Sequence, residues 1–81
     1  MTSEIKTKLE KYILTVIMKQ PDREIRSEAA LISSGVIDSF NLVDLALFIE
    51  DEFGVHIEDS ELNASTFDNL NQLTDLIISR T

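Results

Sequence analysis

The 81-residue sequence contains no cysteine, a single histidine, a single proline and two glycines. Without cysteine, disulfides and thiolate metal sites are excluded, and any thiol chemistry must arrive on an added group. The single histidine, His56, has no second His or Cys with which to build a metal centre. The sequence lacks long apolar runs. The longest, Leu45 to Ile49, is five residues, far short of the ~20 a membrane span needs. No N-terminal apolar core of a signal peptide is present, so a cytoplasmic location is expected. There is no low-complexity stretch and no internal repeat. Basic residues are missing from most of the chain: from Ser27 to Ser79 there is no Lys or Arg, while eleven Asp and Glu fall in that window. The formal charge is −8. Such a surface repels phosphate backbones and argues against nucleic-acid binding. It attracts proteins with basic patches and speeds their encounter, although acidity alone also serves simply to keep a small protein soluble.

What is present is helical periodicity. A chain of this length makes one domain, residues 1–81, with a small core. Ile5, Leu9, Tyr12, Ile13, Val16 and Ile17 recur at three- and four-residue steps and predict an amphipathic helix over about 3–19. Ser3 is placed as its N-cap, Glu4 in its first turn, Lys19 in its last, and Pro21 ends it. A long connection follows, about 20–38, with Ile25, Leu31, Ile32, Val36 and Ile37 as anchors. A helical turn is expected at Ser27–Leu31, and turn chemistry at Ser33-Ser34-Gly35, where Gly35 takes a positive φ. The second helix is predicted over about 39–53, capped by Asp38 and stopped by Gly54. Its wide apolar face includes Phe40, Val43, Ala46, Leu47 and Phe53, with Leu42 or Leu47 near the rim. Val55 and Ile57 read as an extended piece, and Glu58–Leu62 as one helical turn. The last helix starts near Thr66–Asp68 and runs to about Arg80, burying Leu70, Leu73, Leu76 and Ile77. Asp68 and Arg80 suit its opposite dipole ends. The expected fold class is all-α: a four-helix bundle with three longer helices and one short one.

The stretch with most chemical content is Gly35-Val36-Ile37-Asp38-Ser39-Phe40. A nucleophilic serine needs a base within hydrogen-bond reach, yet His56 lies beyond the far end of a helix roughly 20 Å long. Asp38 is better occupied capping. Ser39 is therefore no member of a triad, and no catalytic residue is assigned. The carboxylates Glu50-Asp51-Glu52 and Glu58-Asp59 lack the alternating oxygens and central glycine of a calcium loop, so no metal site is assigned. Asn63-Ala64-Ser65 matches a glycosylation sequon by chance, given no export signal. A serine at a helix N-terminus is, however, well placed to be modified from outside, because the positive helix end stabilises an attached phosphate. Taken alone, Asp38-Ser39 reads first as a simple capping pair.

The surrounding residues widen that reading. Leu31-Ile32-Ser33-Ser34-Gly35-Val36-Ile37-Asp38-Ser39-Phe40, then Val43, Leu47, Ile49-Glu50-Asp51-Glu52-Phe53-Gly54-Val55 and Ile57, closely resemble the acyl carrier protein family, over roughly residues 5–78. The resemblance implies that Ser39, beside Asp38, carries 4′-phosphopantetheine, transferred from coenzyme A by a phosphopantetheinyl transferase that supplies the activation and Mg²⁺ this chain lacks. The arm's thiol would hold an acyl or aminoacyl group as a thioester. The helix after Ser39 would be the recognition element, through Phe40, Val43, Asp44, Leu47, Glu50 and Asp51. Its partners would be acyl- or aminoacyl-loading and acyl-processing enzymes with basic patches, met by a monomeric, free-standing carrier in fatty-acid, polyketide or related specialised biosynthesis.

Three positions depart from the family pattern. Phe40 replaces the usual Leu, as in some D-alanyl and specialised carriers. Asn41 stands where many fatty-acid carriers have an acid, and Glu58 where a Pro is common. They point to a dedicated carrier, and Asp38 argues against a typical peptidyl carrier, where His is frequent. A cleft among Phe40, Ala46, Ile57, Leu62 and Phe67 is expected to shelter an acyl chain, unless Phe67 and Phe48 fill it and leave the cargo outside. Two readings compete with the carrier. One is an acidic helical adaptor of the same fold that docks partners unmodified. The other is a hydrolase or transferase, which a serine without a base disfavours.

Overall fold

The computed structural model describes residues 2–20 and 22–81, with the side chains of Thr2 and Ser3 left aside. Pro21, expected to end the first helix, lies outside the described residues. Helix α1 runs Thr2–Tyr12 and continues as a π-helical turn, Ile13–Ile17. It already includes Ser3, so Ser3 stands within the helix and not at its cap. Lys19 is not in the last turn either. It takes φ 56°, the left-handed conformation that turns the chain away.

Helix α2 spans Ser39–Phe53. Its boundaries agree with the sequence reading because both ends carry strong stop signals. At the start, the Asn41 N–H donates to the Asp38 carboxylate at 2.8 Å. At the end, Gly54 adopts φ 69° and its N–H donates to the Glu50 carbonyl at 2.9 Å. Helix α3 spans Leu70–Arg80 and begins later than the sequence indicated. Asn69 is its cap, accepting from the Gln72 N–H at 2.8 Å. Between α2 and α3 a single 3₁₀ turn, Asp59–Glu61, forms where Glu58–Leu62 was expected to turn. It is closed by the reciprocal bonds of Glu58 and Glu61. The described residues are thus all helix and loop, with three long helices and a fourth element reduced to one turn.

The core gathers Leu9 and Ile13 from the first helical segment, Leu42, Leu45 and Ile49 from α2, and Leu70, Leu73 and Ile77 from α3. Phe67 fills its centre with no exposed surface. Leu31, Ile37, Val55 and Ile57 pin the two connections to it. Leu42 is only 5% exposed, so it belongs to the core and not to the rim. Tyr12 stacks on Phe48 with ring centroids 4.2 Å apart, joining α1 to α2. Lys8 reaches Glu52 of α2 at 3.0 Å, and Lys6 reaches Asn71 of α3 at 2.6 Å. No helix among the described residues is long and apolar enough to cross a membrane.

Candidate functional site

The connection before α2 is held by Asp68, just ahead of α3. The Leu31 N–H donates to the Asp68 carbonyl at 2.6 Å. The Asp68 carboxylate accepts the N–H groups of Ile32 and Ser33 at 2.8 and 2.9 Å, and the Ser33 hydroxyl at 2.5 Å. These bonds hold the Asp68 carboxyl below its usual range, the Ser33 hydroxyl contributing most. Asp68 therefore clamps the loop instead of serving the α3 dipole as expected. The signal that frees it was in the sequence: Asn69 and Gln72 have the spacing of a cap and its N3 partner, and Gln72 accepts the Asp68 N–H at 2.7 Å. From Ser33 the chain turns through Gly35, at φ 84°, into Ile37, whose N–H returns to the Leu31 carbonyl at 2.9 Å. The expected helical turn at Ser27–Leu31 is only a tight turn, Ala29 N–H to Arg26 carbonyl at 3.1 Å.

This anchored loop delivers Ser39 to the surface as the first residue of α2. Asp38 is committed to the cap: its side chain takes Asn41 and its carbonyl takes the Leu42 N–H at 2.9 Å. The N–H groups of Ser39 and Phe40 precede the first helical bond, so they have no partner within the helix. An exposed hydroxyl beside orphan N–H donors at the positive end of a 15-residue helix is an environment that fits a phosphodiester.

Successive residues of an α-helix turn by about 100°. Leu42, Leu45 and Ile49 thus share one side of α2, the buried one. Phe40, Val43, Asp44, Leu47 and Asp51 share the opposite side, with Glu50 flanking it. That outer side is exposed: Phe40 is 83%, Val43 48% and Leu47 58% accessible, among acidic side chains that are also exposed. Ser39 and the six residues singled out for partners therefore lie together on the solvent side of one helix. The expected cleft among Phe40, Ala46, Ile57, Leu62 and Phe67 does not form. Phe40 points to water, while Ile57 and Phe67 are closed into the core. Phe67 is fully buried, and Phe48, expected beside it as a filler, packs against Tyr12 and edge-on to Phe53.

His56 lies past the far end of α2. Its Nδ1 is 3.2 Å from Glu50 and its Nε2 3.3 Å from Glu58. The Glu50 hydrogen bond, followed by the charge of Glu58, raises its pKa. Nearby, Arg80 pairs with Glu61, donating at 2.8 Å, and donates to the His56 carbonyl at 3.1 Å. That ion pair was not foreseen. The Glu61 carboxyl is pushed down to about 2, chiefly by Arg80. These groups tie the end of α2, the 3₁₀ turn and the end of α3 together, away from Ser39. Among the described residues, no three His, Asp or Glu side chains converge on a metal-sized site.

The fold and site define a class: a small acidic helical protein that presents one serine at the head of an amphipathic helix, with its one histidine beyond the other end. A family model described as "Phosphopantetheine attachment site" matches residues 7–77. The chain belongs to this family of phosphopantetheine-bearing carrier proteins. Among solved structures it is similar to an acyl carrier protein from Thermotoga maritima, at 25% identity and a TM-score of 0.73, covering 98% of this chain and 88% of that one. A search of the curated proteins returned no significant match. The protein is thus a carrier and not an enzyme, its cofactor a covalent 4′-phosphopantetheine. It works through a transferase and the biosynthetic enzymes it meets.

Proposed function

We propose that Ser39 bears the phosphopantetheine and that the outer face of α2 presents its thioester-linked acyl or aminoacyl cargo to partner enzymes. The observation that carries this is the position of Ser39, exposed as the first residue of α2 with its neighbour Asp38 already spent on the cap. In the attachment step the Ser39 oxygen forms a bond to the phosphorus next to pantetheine in coenzyme A. The bond to the second phosphate breaks and an adenosine bisphosphate leaves. The hydroxyl proton passes to a base of the transferase, since His56 belongs to the opposite end of α2. Once bound, the group supplies a mobile thiol that holds cargo as a thioester, chemistry that a chain without cysteine cannot supply itself.

The docking part of the proposal rests on Phe40, Val43 and Leu47, which place apolar surface between Asp44, Glu50 and Asp51. A mixed patch of this kind suits brief contacts with basic enzyme surfaces that must release after each step. We extend the reading to a monomeric four-helix carrier of the cytoplasm, dedicated to one fatty-acid, polyketide or related pathway. The departures at Phe40, Asn41 and Glu58 support the dedicated role.

The test is an intact mass spectrum after incubation with coenzyme A and a broad-specificity phosphopantetheinyl transferase, beside a Ser39→Ala control. One phosphopantetheine on the wild type and none on the control is the expected result. Addition to the control would place the arm elsewhere. No addition by several transferases, on folded protein, would shift the weight to an unmodified adaptor.

A further inference from the structure

His56 has no part in attachment at Ser39, yet the fold holds it in a defined place. It is exposed between Val55 and Ile57, which are both buried in the core. Its backbone carbonyl accepts from Arg80 of α3 at 3.1 Å. The imidazole stands between two carboxylates: Nδ1 is 3.2 Å from Glu50 of α2, and Nε2 is 3.3 Å from Glu58 at the head of the 3₁₀ turn. Only the imidazolium has an N–H for each of them. The neutral ring has one N–H, so one carboxylate then faces a ring lone pair. The two carboxylates are not equally free. Glu58 also accepts the Glu61 backbone N–H in the capping box, whereas the Glu50 carboxylate has no other partner among the described residues. The remaining charges near the ring are Glu61 and Arg80, and these two pair with each other.

We propose that His56 is a positioning residue for partner docking: protonated, it holds the Glu50 carboxylate against the loop and offsets its charge, and neutral, it releases that carboxylate to the outer face of α2. The inference rests on the reading of that face as the docking surface. Glu50 flanks the face beside Asp44 and Asp51, so protonation withdraws one of its three negative charges. The Glu50 hydrogen bond, followed by the charge of Glu58, raises the imidazole pKa, so the change falls near neutral pH. A basic partner that takes Glu50 competes with the imidazolium for the same carboxylate. By linkage, docking then loosens the proton on His56, and loss of that proton favours docking. The effect is electrostatic and falls on the association rate. The carrier should therefore meet basic enzymes faster as pH rises through the imidazole titration.

The experiment measures phosphopantetheine transfer from coenzyme A to the full chain by a phosphopantetheinyl transferase, for wild type and His56→Gln. Dividing one kcat/KM by the other removes the pH dependence of the transferase itself. The quotient of wild type over His56→Gln is expected to rise about twofold between about pH 5.5 and 8.5, the size of one exposed charge pair. Its midpoint should match the imidazole titration followed by NMR, with kcat unchanged. The rise should vanish at high salt, and also when both proteins carry Glu50→Gln. A rise that persists with Glu50→Gln would overturn the route through Glu50. A rise in kcat, or one that survives high salt, would overturn the proposal in favour of a structural effect on the end of α2. The urea midpoint of each variant at both pH limits confirms folded protein. A flat quotient, with transfer still slowed by Asp44→Arg, would overturn the role of His56 alone. A flat quotient with Asp44→Arg also without effect would overturn the docking face and His56 with it.

Discussion

Asp38 has one duty in this structure, accepting the Asn41 N–H at 2.8 Å, and it stands directly before the serine proposed to carry the arm. Removing the cap in Asp38→Ala is expected to cost about 0.5–2 kcal/mol of stability, measured as a lower urea midpoint. Because the carboxylate is not a base for Ser39, the variant should still accept phosphopantetheine in an intact mass assay whenever the helix is folded. Complete loss of loading in folded Asp38→Ala would show that Asp38 does more than cap. The titrating groups at the other end of α2 set a pH window. Glu61 has its pKa depressed from 4.5 to about 2. Its contribution to stability is present above pH 4.5 and is lost as pH falls towards 2. His56 is raised above 6.5, so its contribution is fully present below pH 6.5 and is lost as pH rises through its folded value. Both contributions overlap between pH 4.5 and 6.5, where stability should be greatest. All of these side chains are partly in water, which keeps each effect small. The checks are an imidazole titration with a midpoint above 6.5, and a loss of the alkaline slope in His56→Gln. An unshifted imidazole would remove the interaction with Glu50 and Glu58.

At the scale of the element, α2 is two-faced, and its faces should answer differently to the same substitution. Leu45 is buried against the other helices, so Leu45→Ala should cost about 2–5 kcal/mol. Leu47 is 58% exposed, so Leu47→Ala should stay within about 0.5 kcal/mol while slowing turnover by partner enzymes. Urea unfolding and partner kinetics, with helicity checked by circular dichroism, separate the two. A large stability loss at Leu47, or unchanged partner kinetics, would argue against the docking face. The same helix shows what the sequence could reveal and what it could not. Its ends were legible because Asp38 and Gly54 are local signals whose physics does not depend on the rest of the fold. Its buried face was not. Phe40, Leu42, Val43, Leu45, Ala46, Leu47, Phe48 and Ile49 spread apolar side chains nearly all round it, and only packing into the shared core selects Leu42, Leu45 and Ile49. The end of α1 was hidden for a related reason. Its regular spacing continues through Ile13–Ile17, but the backbone there widens to a π turn and leaves by Lys19 in a left-handed conformation. Neither feature has a marker such as glycine.

At the scale of the whole molecule, the charge distribution supports the proposal that a basic partner approaches the α2 face. Six of the seven Lys and Arg lie at or before Arg26, and the last is Arg80. Two of these cations form ion pairs among the described residues, Lys8 with Glu52 and Arg80 with Glu61, and Lys6 donates to Asn71. The outer face of α2 keeps Asp44, Glu50 and Asp51 exposed, and Glu50 contacts only the side chain of His56 among the described ion pairs. Mutual attraction between this face and a basic enzyme is long-ranged in dilute salt. It fades beyond a Debye length of about 10 Å at 0.1 M ionic strength. Its main effect falls on the association rate. Transfer of phosphopantetheine should therefore slow as salt is raised at sub-saturating carrier, through kcat/KM and with little change in kcat. Asp44→Arg should lower kcat/KM at low salt and flatten its dependence on salt, while the urea midpoint moves little because Asp44 is exposed and outside the described ion pairs. The reversal is the informative part. If Asp44→Arg lowered the rate equally at all ionic strengths, the residue would act by shape at the contact and not by steering. If it left the rate unchanged at low salt, the partner would approach from a face other than α2, and the acidity of this helix would serve solubility alone.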